Sequence, residues 1–178
     1  DGENIKIRDA MVSDLIEKTT RQLTLFLPTS TRTYKNFIQN FSQNPNIKIL
    51  YFNTTPIEGI PRMNWLMYDF GLGMPRPHNI IIPALLIAIT SDVKTIRLFG
   101  VDHSWIPLIH VDHNNNTLLA QKHFYDKGTA KAKPMTYLGQ RKRQLHEVLE
   151  KYYYTFRSYV EIRAYADLNG ENIYKCTK

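Results

Sequence analysis

The chain has 178 residues, 43% of them hydrophobic and 22% charged, and a net charge of +7; that length and balance fit one globular domain and are short for two. No apolar run approaches the roughly 20 residues that cross a bilayer, and the single cysteine, Cys176, permits no internal disulfide, which suits a reducing compartment. The opening DGENIKIRDA has no basic region followed by an apolar stretch, so no signal peptide is predicted and a cytoplasmic location is expected by default. The positive charge favours anionic partners: nucleic acid, the phosphates of a nucleotide, or an anionic membrane face held peripherally. The densest basic run, Lys127 to Lys133 and then Arg141-Lys142-Arg143, lacks interleaved stacking aromatics, and no zinc-finger spacing occurs, so specific nucleic-acid binding is not expected.

In chain order, the pattern predicts a helix over 10–19 and a buried strand over 22–27. A helix follows over 33–41, with Tyr34, Phe37, Ile38 and Phe41 at helical spacing and Ser30 and Thr31 available to cap it. A second strand is predicted over 47–52, then an irregular stretch over 54–78 that contains Gly71, Gly73, Pro75 and Pro77 around a short helix over 62–70. A helix over 79–89 is apolar nearly all round and is expected inside the core, with Pro83 near its first turn, where proline is tolerated. A third strand covers 95–99. Residues 106–121 are expected to form a β-hairpin excursion turning at Asn114-Asn115-Asn116. A long helix over 138–168, stopped by Asn169-Gly170, covers one sheet face, and a last strand spans 172–176. Strands alternating with helices predict an α/β fold: a single Rossmann-like domain over 1–178, with a doubly wound, mainly parallel sheet, helices on both faces and a β-hairpin insertion.

Two constellations carry candidate chemistry. GLGMPRPHN, Gly71 to Asn79, leads into the apolar helix, and a helix start can bind phosphate through its free N–H groups. Arg76, His78 and Asn79 would meet the anion there. The alternative is an Asn cap behind a stiff proline segment. It is neither a dinucleotide fingerprint nor a P-loop, because the third glycine and the Gly-Lys-Ser/Thr are missing. Around the third strand, TIRLFGVDHSW places Asp102, His103 and Ser104 just past a strand end, where open α/β sheets bind ligands. In KHFYDKG, Lys122 to Gly128, His123 and Tyr125 can return over that edge, and a histidine there suits a general base; equally, Phe124 and Tyr125 can simply anchor the loop. His103, His110, His113 and His123, with Asp102, Asp112 and Asp126, could assemble a metal site, yet none of the established zinc spacings is present and no metal is expected. The tyrosine band Tyr152, Tyr153, Tyr154, Phe156 and Tyr159 is most simply helix packing. Ser104 lies outside any G-x-S-x-G, and Cys176 has no adjacent base in sequence.

The segment NIIIPALLIAITSDVKTIRLFGVDHSW, a polar helix start, a buried helix, a turn and a strand ending in Gly-x-Asp, resembles the MptE-like Rossmann domain family and the related bacterial sialyltransferases and motility-associated glycosyltransferases. The likeness runs from about Gly71 to Asp102 and more loosely to NGENIYKCTK. It implies a transferase that moves a sugar from a nucleotide donor, CMP-linked by preference, to a glycan acceptor in bacterial surface polysaccharide synthesis. It also implies no required cofactor. His78 and Asn79 would lie by the donor phosphate and the residues after Gly-x-Asp would border the reactive centre. The relatives' histidine base has no positional counterpart here, so His123, from its place in the returning loop, is the expected base, with His103 second. Here His103 and Ser104 stand where the sialyltransferases have an aromatic pair. The relatives' first strand opens with nucleotide-binding residues, whereas this chain begins with a helix, which would leave part of the donor site to an upstream segment. The same resemblance allows two alternatives: a pterin pyrophosphokinase-type transferase needing Mg²⁺ and ATP, with Asp102 and Asp126 as its acids, and a noncatalytic domain that binds a nucleotide or glycan.

Overall fold

The computed structural model describes residues 2–120, 132–137 and 139–176. The fold is mixed α/β, with five helices and several small sheets among these residues. None of the described helices is long and apolar enough to cross a membrane. The chain divides into two compact units, Asp1–Met74 and Pro75–Lys178.

The first unit runs α1 (Gly2–Lys18), β1 (Leu23–Pro28), a 3₁₀ turn (Thr29–Thr33), α2 (Lys35–Phe41), β2 (Ile47–Phe52) and α3 (Pro61–Asp69). The two strands pair in parallel, from Leu23 opposite Ile47 to Pro28 opposite Phe52, so both end at one edge. In each strand the alternate aliphatic residues, Leu23 and Leu25 or Ile47 and Ile49, are the more buried, as a sheet side-chain period of two requires. The Asn44 carboxamide donates to Ile16 O (2.7 Å) and Thr19 O (2.9 Å), tying the end of α1 to the turn before β2. Ser30 and Thr31, expected to cap a helix, instead lie in the 3₁₀ turn, and Thr31 Oγ1 donates back to Pro28 O at 2.7 Å. A hydroxyl that turns back on its own strand end competes with the helix start. The helix therefore begins only at Lys35. Beyond α3, Met74 N donates to Thr55 O and Ile57 N to Met74 O, each at 2.9 Å, closing the irregular segment on itself.

The second unit contains α4 (Ile81–Thr90), β3 (Thr95–Leu98), a 3₁₀ turn (Ile106–Leu108), β4 (Ile109–Val111), β5 (Thr117–Leu119), β6 (Lys133–Pro134), β7 (Thr136–Tyr137), β8 (Arg141–Lys142), α5 (Leu145–Leu168) and β9 (Asn172–Lys175). The strands β3 and β9 form a second parallel pair, so parallel pairing occurs in two separate ladders among the described residues. The hairpin expected over 106–121 is present as β4 and β5, with Asp112 Oδ1 accepting from the N–H groups of Asn114 and Asn116 to hold the turn. The long helix begins later than expected, at Leu145 rather than at 138. Gly139, at φ +72°, turns the chain so that β7 and β8 pair, and the capping box of Gln144 and Glu147 then starts α5. Arg141 chelates Glu147, and that pairing with the Gln144 N–H holds the carboxyl at about 2.

The core of this unit lies where α4 packs on α5. Ile82, Leu85, Leu86 and Ile89 of α4 are buried, as are Val148, Tyr152, Ile162, Tyr165 and Ala166 of α5. With Thr155 and Ser158, also buried, the α5 positions recur at three and four residues, one face of a helix. The apolar composition of α4 overstates its burial, since Ala84 is exposed and Ile80, just before it, is 74% exposed.

In the first unit, Gly73 has no room for a side chain: an added Cβ would collide with Thr55 O and come within 2.5 Å of Ile57 Cγ1. Because a backbone oxygen cannot step aside, Gly73→Ala should cost about 1–3 kcal/mol, the range for overpacking. A urea titration should show a lowered midpoint; an unchanged midpoint would mean that the segment is free to shift.

Candidate functional site

The second unit gathers its polar and aromatic side chains on one face of α5. Asn79 is the hinge of the arrangement. Its Oδ1 accepts from the N–H groups of Ile81 (3.0 Å) and Ile82 (3.2 Å) in the first turn of α4. Its Nδ2 donates to the Tyr159 hydroxyl at 2.8 Å. One carboxamide thus satisfies two orphan donors of α4 and fastens that helix start to α5. The same N–H groups are those a phosphate would use at the helix start, so an anion would have to displace Asn79 to reach them.

The segment just before Asn79 is fixed by a second tie, the Ser158 hydroxyl, whose Oγ lies 3.1 Å from Arg76 O and 2.8 Å from Tyr154 O. As a result two cation-bearing or polar side chains rest on one ring. The Arg76 guanidinium sits 4.4 Å from the Tyr154 ring centroid, and the His78 imidazole stacks on the same ring at 5.8 Å and 26°.

From the other side, the loop after β3 brings His103 and Trp105 to the same helix. Gly100, at φ +70°, begins the reversal, and His103 itself holds φ +51°, a conformation uncommon for a residue with a Cβ. Its ring lies 4.8 Å from that of Tyr159, 4.7 Å from that of Trp105 and 5.9 Å from that of Phe156. Trp105 stacks on Tyr152 at 5.5 Å and 22°. Tyr159 is therefore the meeting point of both stretches that the sequence singled out.

Beside this cluster lies a cavity of about 300 Å³ lined by His78, Asn79, Trp105, Leu119, Met135, Lys151, Tyr152 and Thr155. Lys151 and Thr155 are one turn apart and Tyr152 is on the same side of α5, as i, i+3, i+4 spacing requires. His78 Nε2 is buried and has no hydrogen-bond partner among the described residues. Burial first, then Lys151 and Arg76, hold the His78 imidazole below its ordinary value, against a smaller pull from Glu150. The His103 imidazole is lowered likewise by burial and by Lys175, opposed by Asp102. Burial raises the phenols of Tyr152 and Tyr159, so both stay protonated at neutral pH.

Of the sequence-predicted site residues, His78 and Asn79 line the cavity, Arg76 lies over Tyr154 next to it, and His103 packs behind it against Trp105. Asp102 and Ser104 are exposed on the loop. His123, Tyr125 and Asp126 lie outside the described residues. His110 is exposed on β4 and His113 on the hairpin turn, where Asn114 Nδ2 approaches its Nε2 at 3.1 Å. No group of three or more His, Cys, Asp or Glu side chains able to hold a metal occurs among the described residues. Trp105, Lys151, Tyr152 and Thr155 were not foreseen as site residues. For the three α5 residues the signal was a polar Lys and Thr on the same helical face as a buried tyrosine, which by itself is indistinguishable from packing.

Comparison of the chain with protein-family models, with curated proteins and with solved structures finds no match in any of the three.

Two outcomes test this geometry. Asn79→Ala removes both the cap and the tie to Tyr159, and should cost about 1–2 kcal/mol in urea denaturation; a loss near zero would mean that water replaces both roles. For the histidines, a lowered value in the folded state means that the unfolded chain takes up protons first as the pH drops. Their contribution is complete above the ordinary value of 6.5 and is lost below it, through the depressed folded values. The denaturation midpoint should fall from pH 7 to about 5, and His103→Asn, which tolerates the positive φ, should make that fall shallower.

Proposed function

We propose that the second unit is the catalytic part of a nucleotide-sugar glycosyltransferase, with the cavity at His78, Trp105 and Lys151 as the place where donor and acceptor meet. The observation that carries this reading is the buried, unpartnered His78 Nε2 in the wall of a cavity that also holds a lysine and an indole. An unsatisfied buried nitrogen costs roughly 1–3 kcal/mol, and native structures retain such groups where a ligand or a reaction uses them. The finer fold expectation, a Rossmann-like doubly wound sheet, belongs to the same proposal. Its support is the two parallel ladders and the position of the cavity beyond the carboxyl end of β3.

In this reading the sugar ring packs on Trp105 and the donor phosphate meets Lys151, with Arg76 next in reach. His78, kept neutral by burial, accepts the acceptor hydroxyl proton at Nε2. The new bond forms from the acceptor oxygen to the anomeric carbon, the bond from that carbon to the phosphate oxygen breaks, and the departing negative charge is met by the lysine. His103 then positions Trp105 rather than touching the reacting atoms, since it packs behind the indole. The sequence resemblance to sialyltransferase-related families supports a CMP-linked donor and a surface glycan acceptor.

A thermal-shift series with CMP, UDP, GDP and ATP, with and without Mg²⁺, tests the donor: a ligand at 100 times its Kd should stabilise the protein by about 2.7 kcal/mol. A CMP response insensitive to EDTA is expected, and silence to all four nucleotides would remove the donor assignment. With a donor in hand, His78→Asn should lower kcat by about 10²- to 10⁴-fold with nucleotide affinity nearly kept. Lys151→Met should weaken that affinity about tenfold.

A further inference from the structure

The first unit holds a larger cavity than the one just described, about 730 Å³, lined by Arg8, Thr31, Thr33, Tyr34, Lys35, Asn36 and Phe37. It lies just past the carboxyl end of β1, formed by the 3₁₀ turn and the residues that follow it together with Arg8 of α1. That edge is where parallel α/β strands present ligands, and the volume is within the range of small-molecule sites.

The chemistry of the lining is one-sided. Among the described residues it contains two cations and no carboxylate. Arg8 shares its charge with Asp9, Nη2 to Oδ1 at 2.7 Å. Lys35 and the side chain of Asn36 make no ion pair or hydrogen bond among the described residues, nor does the Tyr34 hydroxyl. A third cation, Arg32, is held nearby over the Tyr51 ring at 4.2 Å, within the same parallel ladder. The Thr31 and Thr33 hydroxyls, by contrast, spend their hydrogens on Pro28 O and Ser30 O. They shape the wall and leave recognition of charge to Lys35, Asn36 and Arg8. Tyr34, 65% exposed, and Phe37 add a flat apolar side. Three donors around a hollow whose described lining has no carboxylate suit a tetrahedral anion, with Asp9 beside Arg8 as the one acid in contact with them, and the aromatic pair suits a ring attached to it.

We propose that this cavity binds a phosphate monoester, its phosphate on Lys35, Asn36 and Arg8 and its ring against Tyr34. The site is separate from the cavity at His78 and does not rest on the transferase reading.

The experiment is calorimetric titration of the full chain with inorganic phosphate, glucose 6-phosphate and phenyl phosphate at low salt, then at high salt. Binding of at least one phosphate probe is expected, weaker at high salt because exposed charges are screened. Lys35→Met should weaken it about tenfold or more, Lys35→Arg should largely restore it, and Lys151→Met should leave it unchanged. Arg8→Met gives a second variant on a different helix with the same expected direction. Phosphate alone binding as tightly as the esters would remove the ring contact from the proposal. No heat with any of the three probes, or binding that Lys151→Met abolishes and Lys35→Met spares, would overturn it, while leaving the nucleotide assignment of the second unit standing.

Discussion

The second unit depends on the Asn79 carboxamide. A side chain at a helix start normally satisfies one or two backbone donors and ends there. Asn79 does that with its oxygen and uses its nitrogen to reach Tyr159 on α5. The first turn of α4 is thereby registered against the middle of α5. Arg76 and His78, three residues and one residue before it along a proline-stiffened segment, then have little freedom except to lie on Tyr154. The Tyr159 ring, which Asn79 bonds through its hydroxyl, receives His103 from the loop after β3. A polar contact of ordinary strength thus fixes which aromatic rings the two histidines meet.

Electrostatics and packing act together at these imidazoles. Both are held below their ordinary value chiefly by loss of water, with lysine and arginine neighbours adding to it. A neutral imidazole is an acceptor at one nitrogen, and at His78 that capacity is buried without a partner. His103 has no such orphan but carries a strained backbone and three aromatic neighbours. Backbone strain of this kind persists only where the surroundings over-determine it, which fits a residue that sets the position of Trp105.

The two units also manage their strand ends differently. After β1 the chain winds into a 3₁₀ turn whose threonine hydroxyls bond backward to the strand, so the polar side chains that follow face an open hollow. After β3 a glycine and a left-handed histidine reverse the chain into an aromatic cluster. Identical topology, a parallel pair with a loop at its carboxyl edge, gives a cationic cavity in one unit and an imidazole and indole wall in the other.

The four principal strands, the helical stretches between them, the hairpin at its asparagine turn and the polar clusters at 76–79 and 102–104 were legible in the sequence, because period, turn chemistry and strand-end polarity are local properties. The start of α5 was not. Gly139 and the Arg141 to Glu147 pairing decide it, and a charged pair six residues apart competes with helix continuation in a way that apolar spacing does not register. The cavity linings were hidden for a related reason: Lys151, Tyr152 and Thr155 satisfy the pattern of a packing face whether or not a void lies beside them. Which polar atoms find partners is a question about residues far apart in the chain, such as Asn79 and Tyr159. By itself the sequence determined where chemistry could sit; the tertiary structure decided which of it is spent on holding the fold, and left His78 Nε2 and Lys35 over.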